Sequence, residues 1–155
     1  MRSSAASDVY KRQGSDKQFS FKIADGQSKT VHIFECPIDL LSYATLLKMR
    51  GYDYTKTNLV SLAGVYSPAK NIYESKVPVA LQKYLEEHPD TTKIITHFDN
   101  DQTGVLAAEA IKILLQGKYN VVDFPPPRGK DFNDFLCLER KIQRNKPPIN
   151  RGERE

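Results

Sequence analysis

The sequence predicts an α/β fold: a Rossmann-like, mostly parallel sheet of about four strands, flanked by helices, with a short extra strand at the amino end. Three observations carry this. Four β-rich apolar runs recur, at residues 30–34, 58–62, 93–98 and 119–124. Stretches with helical spacing separate them, which is the pattern of βαβ units with helices on both faces of a parallel sheet. The chain has 155 residues, enough for one such domain and too few for two sizeable cores.

Each element has its own signal. Residues 19–23 alternate polar and apolar and read as an edge strand, with a turn at Asp25-Gly26. Residues 30–34 form a strand that ends at Glu35. Pro37 suits the first turn of a helix. Ile38, Leu41, Leu46 and Leu47 give that helix its apolar stripe, and Gly51 is its stop. Residues 58–62 are the second main strand, followed by Ala63-Gly64. A helix over 79–87 is ended by Pro89, and residues 93–98 are the third strand. Thr103-Gly104 open a helix through about Leu115, with Leu106, Ala110, Ile113 and Leu114 on one face. Residues 119–124 are the fourth strand, and Pro125-Pro126-Pro127 then breaks regular structure. Residues 131–143 read as the last helix, with Cys137 expected to be buried in it. Tyr43, Tyr52, Tyr54, Tyr66 and Tyr73 are read mainly as packing residues, although aromatic rings also stack on bases.

The net charge of +4 and the pI near 9.0 invite a nucleic-acid reading. Its location argues against a basic cleft. Residues 1–18 carry +2 and residues 139–155 carry +3, which leaves −1 on the body between them. The expected organisation is therefore a disordered tail over 1–18, a domain over 19–140 and a basic disordered tail over 141–155. Residues 3–13 also resemble a translated adaptor peptide found at chain ends in metagenomic gene predictions, which implies that the natural protein continues upstream. The apolar runs are too short for a transmembrane helix, and the amino end lacks the apolar stretch of a signal peptide. Two cysteines cannot build a Cys-rich zinc site or a disulfide framework. The expected setting is the cytoplasm, with no membrane partner.

In parallel sheets, sites form beyond the carboxyl ends of the strands. Here those positions hold Glu35, then Gly64, then Asp99 with Asp101, then the 125–134 loop. Asp99 and Asp101 are two apart, so on an extended strand end they point the same way, roughly 7 Å apart. Such a pair suits a Mg²⁺ ion (or Mn²⁺), which takes one or two carboxylates, keeps waters and binds substrate phosphates. Asp39 is one helical turn beyond Glu35, and Asp131 and Asp134 add acids at a helix start. Clustered carboxylates repel, which raises pKa values and fits Glu35 for general acid or base work. A lone Asp at such a position is ordinarily a helix cap. A Glu and a D-x-D, each directly after a buried strand, exceed that expectation.

Three segments together resemble the Toprim domain: Phe34-Glu35-Cys36-Pro37-Ile38-Asp39, Phe98-Asp99-Asn100-Asp101-Gln102-Thr103-Gly104 and Lys130-Asp131-Phe132-Asn133-Asp134. The likeness covers about residues 29–138. It is strongest to primase-type members, especially the primase-like proteins of bacterial mobile elements. The resemblance implies Glu35 as general acid or base, Asp99 and Asp101 as the metal pair and Asp39 as a metal neighbour. It further implies Asp131 and Asp134 as the later acidic motif, Lys130 as a phosphate contact and Gly64 at a close backbone approach. The implied activity is Mg²⁺-dependent nucleotidyl transfer in primer synthesis, within a larger replication protein. Single-stranded DNA or another nucleic acid, nucleotides, and helicase or other replication proteins are the implied partners. A Toprim nuclease and a non-catalytic binding module are the alternatives. Two positions depart from the pattern: Cys36 stands where primases have Gly, and Thr103 stands where topoisomerases have a third Asp.

Other readings fit less well. Asp99 to Thr103 match the D-x-D-x-T of haloacid-dehalogenase-type phosphohydrolases, but that motif opens its domain and needs more chain after it. The acids lie in the reverse of a phospho-receiver's order, and no phosphate-binding G-x-x-x-x-G-K-[ST] is present. His32 and His97, inside predicted strands, are read as packing residues.

Overall fold

The computed structural model describes residues 20–23, 27–62 and 68–144. The expectations for residues 1–19, Asp25-Gly26, Ala63-Gly64, Tyr66 and the chain beyond 144 lie outside these residues. The elements are β1 (Lys22–Ile23), β2 (Thr30–Phe34), α1 (Pro37–Met49), β3 (Asn58–Ser61), α2 (Val79–Glu87), β4 (Lys93–His97), α3 (Gln102–Leu115), β5 (Asn120–Asp123) and α4 (Phe132–Arg144). Short 3-10 turns at Tyr54–Lys56 and Ile72–Glu74 complete the connections.

The five strands form one sheet in the order β1-β3-β2-β4-β5. β2, β3, β4 and β5 are parallel, and β1 joins β3 antiparallel at the edge. The expected α/β architecture is thus present, with the extra amino-terminal strand at an edge. Alternation along each strand divides the core into two layers. Val31, Ile33, Val60 and Ile94 pack under α2 and α3, against Leu81, Tyr84, Ala107 and Ile111. On the opposite face Phe34 and Leu59 pack with Leu40, Ala44 and Leu46 of α1 and Phe132 and Phe135 of α4. Full burial of one such side chain is worth about 1.5–3 kcal/mol.

The connections fix where a site can form. From β2 the chain passes through α1 to β3 on one side, and from β4 through α3 to β5 on the other. α1 and α3 cover opposite faces. The carboxyl ends of the adjacent strands β2 and β4 therefore flank the topological switch point, where open α/β sheets bind ligands.

Helix ends follow the sequence signals. Pro37 opens α1 in its first turn. Gly51 follows the helix with φ of +82°, and its N–H reaches the carbonyl of Lys48 at 3.0 Å. Asp101 caps α3, its Oδ1 accepting from the Gly104 N–H at 2.9 Å. α4 runs to Arg144, close to the expected end at 143.

The helix faces differ from expectation. In α1, Ile38 and Leu41 are exposed, and the buried set is Asp39, Leu40, Ser42, Ala44 and Leu46. In α3, Leu106 is exposed, while Gly104, Ala107, Ala108, Ala110 and Ile111 are buried. Small residues let both helices approach closely, and the larger side chains at the margin turn outward. Cys137 is exposed rather than buried, because α4 packs through Phe132, Phe135 and Leu136. Tyr43 and Tyr54 pack against the core as expected, but Tyr52 and Tyr73 are exposed. Each lies in a connection outside the sheet-covering helices.

Candidate active site

The acids after β2 and β4 meet because those strands are neighbours, paired from Thr30 with Lys93 to Phe34 with His97. One residue beyond the last pair, Glu35 Oε1 accepts from the Asp99 N–H at 3.3 Å. Glu35 is only 8% exposed. Its pKa is raised by burial and by the charges of Asp99, Asp101 and Asp39, against the lowering effect of the Asp99 N–H. Asp99 is raised by burial and by the charges of Asp39 and Asp131, with Lys130 acting in the opposite sense.

Lys130 comes from the loop after β5. Its Nζ lies 3.1 Å from Asp99 Oδ2 and 4.0 Å from Asp101 Oδ2. Its pKa is raised by the hydrogen bond and charge of Asp99, with Asp101 and Asp131 adding to it. One ammonium thus faces both acids of the D-x-D pair.

The remaining predicted acids also have structural duties. Both oxygens of buried Asp39 are engaged: Oδ2 accepts from the Cys36 thiol at 2.8 Å and Oδ1 from the Asn133 N–H at 3.3 Å. Asp39 therefore ties α1 to the start of α4, while its charge acts on Glu35 and Asp99. Asp131 Oδ1 accepts from the Asp134 N–H at 2.7 Å, and Asp134 Oδ2 from the Lys130 N–H at 3.3 Å. These two acids satisfy backbone donors at the start of α4, as caps do. Gly64 lies outside the described residues.

Cys36 fits without strain. Its backbone is extended, with φ of −135° and ψ of 161°, a conformation open to any residue. Burial and the neighbouring Asp39 push its thiol pKa up.

Three supporting residues were not singled out as site residues from the sequence. Asn100, between the paired acids, donates through Nδ2 to the carbonyls of Pro126 at 2.7 Å and Gly129 at 2.9 Å. Its backbone N–H also reaches the carbonyl of Lys130 at 2.7 Å. Asn100 thus fastens the loop that carries Lys130 to the end of β4. A Cβ on Gly104 would collide with the Asp99 carbonyl oxygen and come within 2.9 Å of the Asp99 nitrogen. Only glycine lets α3 start this close to the acids. Gly129 has φ of +84°, and a Cβ there would come within 2.8 Å of Asp134 Cβ. The Asn inside D-N-D and the Gly after Thr103 are the sequence signals for the first two.

Residues 32–136 match the Toprim-like family. The chain belongs to that family. The resemblance in the three acidic segments is therefore borne out over most of the described residues. None of the curated proteins matches the sequence significantly. Among solved structures, one similar chain is the primase fragment of the bacteriophage T7 primase-helicase protein. It is 23% identical with a TM-score of 0.47, and the match covers 76% of this chain and 43% of that one. The Toprim-like chain thus spans less than half of that fragment.

A divalent cation is the cofactor this family implies, and the donor chemistry at the D-x-D pair suits one. Asp99 and Asp101 offer hard oxygen donors to a common cation position, here facing the Lys130 ammonium. Among the described residues no three His, Cys, Asp or Glu side chains are grouped to hold a metal ion between them. The fit is accordingly to an open site of two carboxylates completed by water and substrate, the arrangement Mg²⁺ favours. No described helix is long and apolar enough to cross a membrane.

Proposed function

We propose that this chain is a catalytic Toprim domain for Mg²⁺-dependent phosphotransfer on nucleic acid, and specifically for primase-like nucleotidyl transfer. The observation that carries the reading is the convergence of Glu35 with Asp99, Asp101 and Lys130 at the switch point of the sheet. Asp99 and Asp101 hold the metal, with Asp39 lending charge from behind. Bound there, Mg²⁺ supplies positive charge to the reacting phosphate. Glu35, raised by burial and by its acidic neighbours, carries a proton to or from the reacting oxygen as general acid or base. Lys130 reaches phosphate oxygens from the opposite loop, and Asp131 and Asp134 hold that loop in place.

The domain, which runs through the end of α4, is one part of a larger cytoplasmic replication protein of a mobile element. Single-stranded DNA and nucleotides are its substrates, and a helicase or other replication protein is its partner. The acidic body favours a metal-bridged phosphate over a purely electrostatic grip on the nucleic acid backbone.

Titration of Mg²⁺ and Mn²⁺ into the wild type and into Asp99→Ala/Asp101→Ala tests this reading. The same proteins are then incubated with single-stranded DNA and nucleoside triphosphates. The expected result is metal binding and extension by the wild type, both lost in the double variant. Shortened DNA in place of extension would reassign the site to a nuclease. A wild type that binds no metal would overturn the catalytic reading.

A further inference from the structure

We propose that Lys130 is a built-in placeholder cation: its ammonium fills the cation position between Asp99 and Asp101, and a divalent metal must displace it to bind. The proposal rests on the metal-dependent reading above. Three features of the site carry it.

First, the ammonium lies where the paired acids converge, 3.1 Å from Asp99 Oδ2 and 4.0 Å from Asp101 Oδ2. Two carboxylates that face one point repel each other less when a positive charge stands between them. A lysine head is a compact, strongly hydrated point charge, closer to a small metal cation than a flat guanidinium is. Second, the Lys130 side chain is 60% exposed. The position is therefore open to solvent, from which a hydrated metal arrives. Third, the backbone beneath the side chain is pinned. The Lys130 carbonyl accepts from the Asn100 N–H at 2.7 Å, and its N–H donates to Asp134 Oδ2 at 3.3 Å. Asn100 Nδ2 further fixes the carbonyls of Pro126 and Gly129. The loop thus stays put while the four-carbon stem swings outward on a fixed pivot.

In the metal-free protein Lys130 neutralises the acidic edge and keeps Asp99 and Asp101 in register. The same contact raises the metal concentration needed to fill the site. Removing the charge while keeping the apolar stem should therefore tighten metal binding.

The test is calorimetric titration of Mn²⁺, and separately Mg²⁺, into the full chain as wild type, Lys130→Met, Lys130→Arg and Asp99→Ala/Asp101→Ala. Thermal unfolding with and without metal is the second readout. Lys130→Met should bind Mn²⁺ roughly fivefold more tightly, the scale of an exposed ion pair. Its unfolding temperature should also rise more on metal addition than that of the wild type. Lys130→Arg, which keeps the charge, should stay near wild-type affinity. Should Lys130→Met fail to fold, Lys130→Gln carries the same expectation. Equal or weaker binding by the neutral variant, with the wild type binding metal, overturns this proposal and leaves the metal-dependent reading standing. Binding by neither protein overturns both.

Discussion

His97 Nε2 lies 2.8 Å from His32 Nδ1 across the seam between β2 and β4. The direction of this bond follows from the next one. His97 Nδ1 lies 2.8 Å from the Phe124 carbonyl, which can only accept. His97 therefore carries its proton on Nδ1, and its bare Nε2 accepts from His32 Nδ1–H. The pair stays neutral. Burial and the Lys93 charge lower the His32 pKa from 6.5 to about 4. Burial and His32 lower that of His97 well below its ordinary value. The two rings lie nearly coplanar within an aromatic cluster, where His97 stacks on Phe34, Tyr43 tilts against both and Phe132 meets His97 edge-on.

The histidine pair sets an acid limit on stability. Below pH 6.5 the unfolded chain takes a proton on His32 and the folded chain does not, so stability falls with pH until about pH 4. The His32 share is roughly 3 kcal/mol over that window. His32→Asn keeps a donor toward His97 and removes one titrating group. Urea unfolding from pH 7 to 4 should show a shallower loss for the variant than for the wild type. Parallel curves would sink the assignment.

Asp101 has two duties that substitution separates. Its Oδ1 caps α3 through the Gly104 N–H at 2.9 Å. Asn caps as well as Asp, whereas Ala costs about 1 kcal/mol. Asp101→Asn should therefore keep wild-type stability and lose metal binding. Asp101→Ala should lose both. Retained metal affinity in Asp101→Asn would remove Asp101 from the proposed metal pair.

Glycine is required at position 104 and optional at 117. A Cβ at Gly104 collides with the Asp99 carbonyl oxygen, whereas one at Gly117 meets no heavy atom within 4 Å. Gly104→Ala should lower stability by about 1–3 kcal/mol, the cost of forcing packed elements apart. It should also weaken metal binding, because Asp99 moves with its backbone. Gly117→Ala should stay within about 0.5 kcal/mol of the wild type. Thermal unfolding of the two variants side by side decides the matter, and equal effects would refute the close-approach argument.

Asn100 anchors the loop that carries Lys130 through two Nδ2 hydrogen bonds. Asn100→Ala leaves the Pro126 and Gly129 carbonyls without these donors, at a cost of about 0.5–1.5 kcal/mol. Hydrogen exchange across residues 125–131 should quicken in the variant while β2 and β4 stay protected. Unchanged exchange in the loop would show that other contacts hold it.

The sequence by itself determined the alternation of strands and helices, the strand ends at which Glu35, Asp99 and Asp101 stand, and the family. Those are local properties: apolar runs, helix stops and short motifs, each complete within a few neighbouring residues. Only the tertiary structure decided which surfaces of the helices face inward. Ala107, Ala108 and Ile111 go in and Leu106 stays out, because the first three stand on the face of α3 that packs against the sheet. It also decided that Cys137 faces outward and that Asn100 reaches back to the proline-rich loop. The Lys130 contact with Asp99 and Asp101 belongs to the same class. Each depends on two segments brought together by strand order, which no periodicity in one segment records. The net charge of +4 is no guide to the site. What matters at the site is one lysine held between two acids at the edge of an acidic body, rather than the basic residues gathered near the chain ends.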